Sequence, residues 1–191
     1  GHVSLLDKAR TYSSKISTLS FYPHPKSYFH KTFGHSEAPK FIQSHSQKLD
    51  CLARAGIESA VVLPFKKIVG MTSQDFIGEV LVGGISPARI IVGSDWRFGK
   101  GREAGIEELQ KELTKSGIEV LSSEHLNYLG TRISSGRIRA AILEGNFAQA
   151  ADMLGRPWSL SGLVVRGFGR GKTIGIPTAN IKAKAGIITP L

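Results

Sequence analysis

Apolar residues recur at Val3, Leu5, Leu6 and Ala9, near helical spacing, and predict a helix over residues 3–14. ISTLSFY (16–22) is rich in strand formers and predicts a strand ending at Pro23. Pro23 and Pro25 bracket His24 and predict an extended turn, followed by a loop over 26–43 with Tyr28, Phe29 and Phe33 near its start. SHSQKLDCLARAG (44–56) predicts a helix capped by Ser44 or Ser46 and stopped by Gly56. AVVLPF (60–65) and RIIVG (89–93) are short apolar runs, the mark of strands buried on both faces. Between them, Thr72 or Ser73 caps a helix through Leu81, with Gly83 and Gly84 as its stop. A polar, glycine-rich loop follows the second run. GIEELQKELTKSG (105–117) then predicts a helix with early acids and late lysines, which complements the macrodipole. IEVLSS (118–123) predicts a strand, and SSGRIRAAILEG (134–145) and NFAQAADMLG (146–155) predict two helices. Strand and helix alternating at short spacing predict an α/β fold, a parallel sheet with helices on its faces. Ligands of such sheets bind beyond the carboxyl ends of the strands, here after Tyr22 and Gly93 and in the turn before Ser134.

The pattern changes at Arg156. SLSGLVVRG (159–167) alternates as an antiparallel strand does, and no helical period follows. Two domains are therefore expected, over 1–155 and 156–191, the second β-rich and too short to close a core of its own. The chain reads as cut at both ends.

Composition narrows the chemistry. Hydrophobic residues make up 41% of the 191, enough for a core, and no apolar run approaches the roughly 20 residues of a membrane helix. The first residues lack the features of a signal peptide. The single cysteine, Cys51, excludes an intrachain disulfide and fits a cytoplasmic setting; its place on the apolar side of a helix favours a buried thiol. The formal charge of +10 calls for anionic partners. From Arg132 to Lys184 nine basic residues face two acids, Glu144 and Asp152, and they stand singly among glycines and apolar residues. That spacing suits a pocket for discrete phosphates better than a nucleic-acid face. A basic nucleic-acid-binding module without catalysis is the rival from another class. The scattered histidines His24, His30, His35 and His45 have no ligand-spaced partners, so no metal site made only of protein ligands is evident.

GFGRGKT (167–173) nearly matches a P-loop, but the spacing from Gly167 to Gly171 is one residue short and Pro177 arrives where a helix should begin. The glycines still let backbone N–H groups approach an anion, with Arg170 or Lys172 adding charge. In GIPTAN (175–180), Thr178 and Asn180 place a hydroxyl and an amide oxygen on one side of an extended strand, a donor pair suited to Mg²⁺ shared with phosphates. GRGKTIGIPTAN resembles the riboflavin kinase signature, with Ile176 where that family usually has Phe. The resemblance implies that Thr178 and Asn180 bind Mg²⁺ and ATP phosphates and that Gly167, Gly171 and Lys172 belong to the nucleotide loop. It also implies a β-barrel that begins here, whose general-base carboxylate has no counterpart before Leu191.

The preceding residues resemble the FMN adenylyltransferase part of bacterial bifunctional riboflavin kinase–FAD synthetases. Gly1-His2 resembles the end of an H-x-G-H motif, FYPHP (21–25) an F-x-P-H-P turn, and VGSDWRFGKGREAG (92–105) a V-G-x-D-F-x-F-G-x-x-R-x-G stretch with Trp96 for Phe. RISSGRIR (132–139) resembles R-I-S-S-T-x-I-R, with Gly136 for Thr. On its own chemistry this last stretch offers two hydroxyls and free N–H groups at a helix start, with Arg139 one turn past Ser135.

The resemblance implies a Rossmann-like nucleotidyltransferase sheet. It implies AMP transfer from ATP to FMN, giving FAD and pyrophosphate, followed in the chain by phosphorylation of riboflavin to FMN. His2, Arg132, Ser135 and Arg139 would be catalytic. Gly1, His2, His24, Ser134 and Ser135 would bind ATP phosphates, and Asp95, Trp96 and Phe98 would bind flavin. ATP, FMN, FAD and riboflavin are the implied small-molecule partners, with Mg²⁺ arriving on ATP and neither nucleic acid nor membrane involved. A nucleotidyltransferase of the same fold acting on another phosphate is the nearer rival.

Overall fold

The computed structural model describes residues 2–34, 40–167, 175 and 178–190. The chain forms two compact units, Gly1–Glu37 with Cys51–Arg132, and Ala38–Asp50 with Ile133–Leu191. The expected α/β class is borne out, with parallel strand pairs and intervening helices.

In the first unit, α1 (His2–Arg10) precedes β1 (Ser17–Tyr22). The residues after Pro23 correct the expected loop, because Pro25–Phe33 forms helix α2. Its signals lie in the FYPHP turn itself. His24 is the N-cap and its ring accepts the Lys26 N–H, Pro25 stands in the first helical turn, and Gly34 closes the helix in a left-handed conformation. Helix α3 (His45–Arg54) carries the chain across the division between the units. Ser44 is its cap: its hydroxyl accepts the Gln47 N–H at 3.2 Å and its own N–H donates to Gln47 Oε1 at 2.9 Å.

Strand β2 (Ser59–Pro64) pairs with β1 in parallel, from Ser17 opposite Ser59 to Tyr22 opposite Pro64. Helix α4 (Phe65–Ile68) follows directly. Thr72 caps α5 (Ser73–Asp75) in a reciprocal pair with Asp75. The chain then winds as a π-helix over Phe76–Ile85, passing through the two glycines expected to stop it. A Cβ on Gly83 would stand 3.0 Å from the Gly78 carbonyl oxygen, and one on Gly84 3.1 Å from that of Glu79. Glycine is what lets the wider winding continue there. Ser86, in the left-handed region, ends it.

Strand β3 (Arg89–Gly93) pairs in parallel with β4 (Glu119–Ser123), with α6 (Ile106–Thr114) between them in sequence. Leu109 and Leu113, one turn apart on α6, are wholly buried. They join Phe76, Ile77, Leu81, Phe98, Ile118 and Val120 in one core, against which Leu19 and Phe21 of β1 pack. Strands β2 and β3 are half-buried along their inner positions rather than buried on both faces, with Ile90 of β3 packed against the core from its edge. A short hairpin, β5 (Asn127–Tyr128) and β6 (Thr131–Arg132), completes this unit.

In the second unit, α7 (Ser135–Leu143) and α8 (Phe147–Leu154) pack together and bury Ile138, Ala141, Ile142, Ala150 and Met153. The expected antiparallel strand is β7 (Gly162–Val165), which pairs with β8 (Asn180–Ala183). Ile188, 1% exposed, is buried in this unit as well.

Candidate active site

Strands β3 and β4 end side by side, with Gly93 opposite Ser123. Two residues past each end stand Asp95 and His125. Arg132, the last residue of β6, closes on the same carboxylate: its Nη2 lies 2.5 Å from Asp95 Oδ2, and His125 Nε2 lies 3.4 Å from Asp95 Oδ1. Ser94 Oγ is also 3.4 Å from His125 Nε2. The Arg132 guanidinium, donating to Asp95 and attracting its charge, holds this carboxyl below the usual carboxylate range despite some desolvation, with a smaller contribution from His125. All three side chains retain solvent access, and they stand where parallel strands present ligands.

Of the expected residues, Asp95 and Arg132 are therefore brought together. His125 was not anticipated. The signal for it is positional: it follows Ser123 as Asp95 follows Gly93, which becomes visible only once the β3–β4 register is known.

Trp96 and Phe98 stack at 4.7 Å between ring centroids, 15° from parallel. Phe98 is 6% exposed and its ring lies 5.7 Å from that of Phe76, so it supports Trp96 from within the core. The loop holding them is closed by reciprocal backbone bonds between Phe98 and Ala104. Gly99 makes that closure possible. Its φ is +78°, and a Cβ there would fall 2.8 Å from Glu103 Oε1 and 2.9 Å from the Ser73 nitrogen. His24 and His2 lie at the starts of α2 and α1, both exposed, with the His24 ring engaged as the cap.

In the second unit, Ser134 adopts the extended N-cap conformation and its hydroxyl accepts the Arg137 N–H at 3.3 Å. Ser135 begins α7, exposed, and Arg139 Nη1 reaches its hydroxyl at 3.4 Å. Arg139 Nε donates to the Lys40 carbonyl at 2.7 Å. Partial burial pulls the Arg139 pKa below the ordinary arginine value. The site thus offers hydroxyls, a helix N-terminus and a guanidinium one turn apart, a combination suited to a phosphate. A Cβ on Gly136 would meet only Ser134 Oγ, at 3.7 Å, so the absent side chain leaves open space rather than a filled cradle.

Gly167 lies against the Asn180 side chain, and Asn180 opens β8 opposite Val165. Thr178 and Asn180 are exposed. Gly1, Gly171 and Lys172 lie outside the described residues.

Residues 1–137 match the FAD synthetase family. The chain belongs to the FAD synthetase family. Residues 154–190 match the riboflavin kinase family in addition. This FAD synthetase family member is 34% identical over 186 residues to the bifunctional riboflavin kinase/FMN adenylyltransferase of Escherichia coli K12. It is 27% identical over 197 residues to that of Bacillus subtilis 168. The alignments cover 95% and 100% of this chain but 58% and 60% of the relatives, so the chain spans less than two thirds of their length. A crystal structure described as a macrolide-efflux protein from Streptococcus pneumoniae superimposes with a TM-score of 0.85 at 28% identity, over 99% of this chain and 62% of that one. Among the described residues no helix is long and apolar enough to cross a membrane.

Proposed function

We propose that this chain serves flavin cofactor synthesis by transferring AMP from ATP to the phosphate of FMN. An FMN phosphate oxygen bonds to the α-phosphorus of ATP, the bond from that phosphorus to the bridging oxygen breaks, and pyrophosphate leaves with the electron pair. FAD is the other product. No covalent enzyme intermediate is required, so the residues work by placement and charge. The observation that carries this reading is the start of α7, where Ser134 caps the helix, Ser135 stands exposed and Arg139 lies beside it.

Ser134, Ser135 and Arg139 hold the triphosphate, with Arg132, His2 and His24 supplying further charge or hydrogen bonds. Trp96 faces the flavin ring with Phe98 behind it, and Asp95 sets the direction of Arg132. Residues 1–155 form the AMP-transfer domain. Residues 156–191 belong to a riboflavin kinase barrel that, in the whole protein, phosphorylates riboflavin to FMN. There Gly167, Gly171 and Lys172 approach the nucleotide. Thr178 and Asn180 offer two exposed, neutral oxygen donors, one fixed at the start of β8, a set that fits Mg²⁺ held jointly with ATP phosphates. Mg²⁺ takes few protein ligands, so phosphates or water would complete its coordination. When bound, Mg²⁺ supplies positive charge to the phosphate oxygens. The partners are ATP, FMN and riboflavin, and the setting is the cytoplasm. The efflux description stays with the pneumococcal protein; Ser134, Ser135 and Arg139 of this chain suit a phosphate.

The chain incubated with ATP, Mg²⁺ and FMN should release pyrophosphate and form FAD, followed by chromatography. Arg139→Ala should lower that rate by roughly a hundredfold, the cost typical of one removed charge-stabilising donor. Equal turnover of an unrelated phosphomonoester in place of FMN would refute the flavin assignment, and absence of any pyrophosphate would refute AMP transfer.

A further inference from the structure

The segment 40–47 lies inside the FAD synthetase match, yet its hydrogen bonds lead to the region matched by riboflavin kinase. The Phe41 N–H donates to the Gly186 carbonyl at 2.6 Å, and the Phe41 carbonyl accepts the Ile188 N–H at 2.9 Å. Trp158 Nε1 donates to the Ile42 carbonyl at 2.9 Å. Arg156 Nη2 donates to Gln43 Oε1 at 2.6 Å, and Gln47 Nε2 donates to Ser161 Oγ at 3.0 Å. These bonds make the segment a strap laid along residues 156–161 and 186–188, all within the second unit.

The strap begins at Lys40, whose carbonyl accepts Arg139 Nε. A guanidinium is planar, so fixing Nε on one oxygen and bringing Nη1 to Ser135 sets the plane of the whole fork. A cation already oriented loses less freedom when phosphate arrives. Lys40 is the neighbour of Phe41, and Phe41 is held on both its backbone groups by Gly186 and Ile188.

We propose that the riboflavin-kinase-like segment orients Arg139 through this strap, making Phe41, Arg156 and Trp158 positioning residues for phosphate binding at α7. The use of Arg139 on ATP rests on the function proposed above; the mechanical link does not.

The test uses the 191-residue chain with the double variant Arg156→Met/Trp158→Phe. Trp158→Phe keeps a ring to stack on Phe147, now 5.8 Å away and 2° from parallel, and deletes the N–H to Ile42. Exchange of the Arg139 Nε–H with water is followed by ¹⁵N NMR, the signal being assigned by its loss in Arg139→Lys. It should quicken by about tenfold in the double variant, as local opening becomes easier. Met153→Val, in the buried face of α8, is the control for general loosening of the unit and should leave that exchange within about twofold. Unchanged exchange in the double variant, or equal acceleration in the control, would overturn the link. ATP affinity, measured by calorimetry, should fall several-fold in the double variant while FMN affinity holds. Faster exchange with unaltered ATP affinity would overturn the positioning role. A wild-type chain that binds no ATP would remove the function reading alone, and the exchange result would still decide the link.

Discussion

The β3–β4 and β7–β8 ladders draw on the same residue types, chiefly Ile, Leu and Val, and stand in different surroundings. The first is parallel and belongs to a unit whose core gathers Val120 of β4 with Leu109, Leu113 and Phe76. Its carboxyl ends carry Asp95 and His125 into a defined arrangement with Arg132. The second is antiparallel, and Leu163 and Val164 stand 74% and 75% exposed, with Ile181 at 53%. Backbone pairing alone therefore does not fix a site. Where helices cover one face of a ladder, the loops beyond its ends are held closely enough to converge on one carboxylate. Where the apolar side chains face water, Thr178 and Asn180, the residues proposed to meet Mg²⁺, likewise stand exposed.

Three measurements press on that contrast. Leu109→Ala removes a side chain with no exposure from the covered region, and should cost about 2–5 kcal/mol in urea unfolding, the range for such cavities. A cost below about 1 kcal/mol would mean that the core is looser than its burial implies.

The Asp95–Arg132 pair is the intermediate case. Its carboxyl pKa is lowered in the folded chain, chiefly by the Arg132 hydrogen bond, so its stabilisation is present above the unfolded carboxylate pKa. It is lost as pH falls through the lower, folded value. Because the pair is exposed, the contribution should be at most about 1 kcal/mol. An NMR titration of the Asp95 carboxyl should show a midpoint below the ordinary range that returns toward it in Arg132→Ala; a midpoint indifferent to Arg132 would dissolve the pair.

The smallest effect is expected at Leu163→Thr, which should shift stability by no more than about 0.5 kcal/mol, as at other exposed positions. A loss comparable to that at Leu109 would show that β7 is covered in solution.

Most of the elements were legible because their information is local. Helix α6 announces itself by Glu107 and Glu108 in its first turn and Lys111 in its last, and α7 and α8 by Ser134 and Asn146 at their starts. Helix α2 was hidden because Pro25 reads equally as a turn residue and as a first-turn helical residue, and the deciding cap is an imidazole rather than a hydroxyl. The two glycines within Phe76–Ile85 signal a stop for an α-helix and permission for a π-helix, and the residue type alone does not separate these. Among the candidate residues, Arg132 in the first unit and Ser134, Ser135 and Arg139 in the second were singled out from one continuous stretch. His125 required the register of two strands. The Lys40 carbonyl is a backbone atom 99 positions from the arginine it meets, and it has no sequence signature at all.

That last distance has a consequence for the order of events at the ribosome. Gln43 and Ile42 are paired with residues 113 and 116 positions further along the chain, so the strap emerges long before anything exists for it to bind. Domains generally begin to fold from the amino terminus during synthesis. The bonds that residues 41 and 42 make to Gly186, Ile188 and Trp158 can form only after those residues have been made, so this part of the second unit closes late in translation.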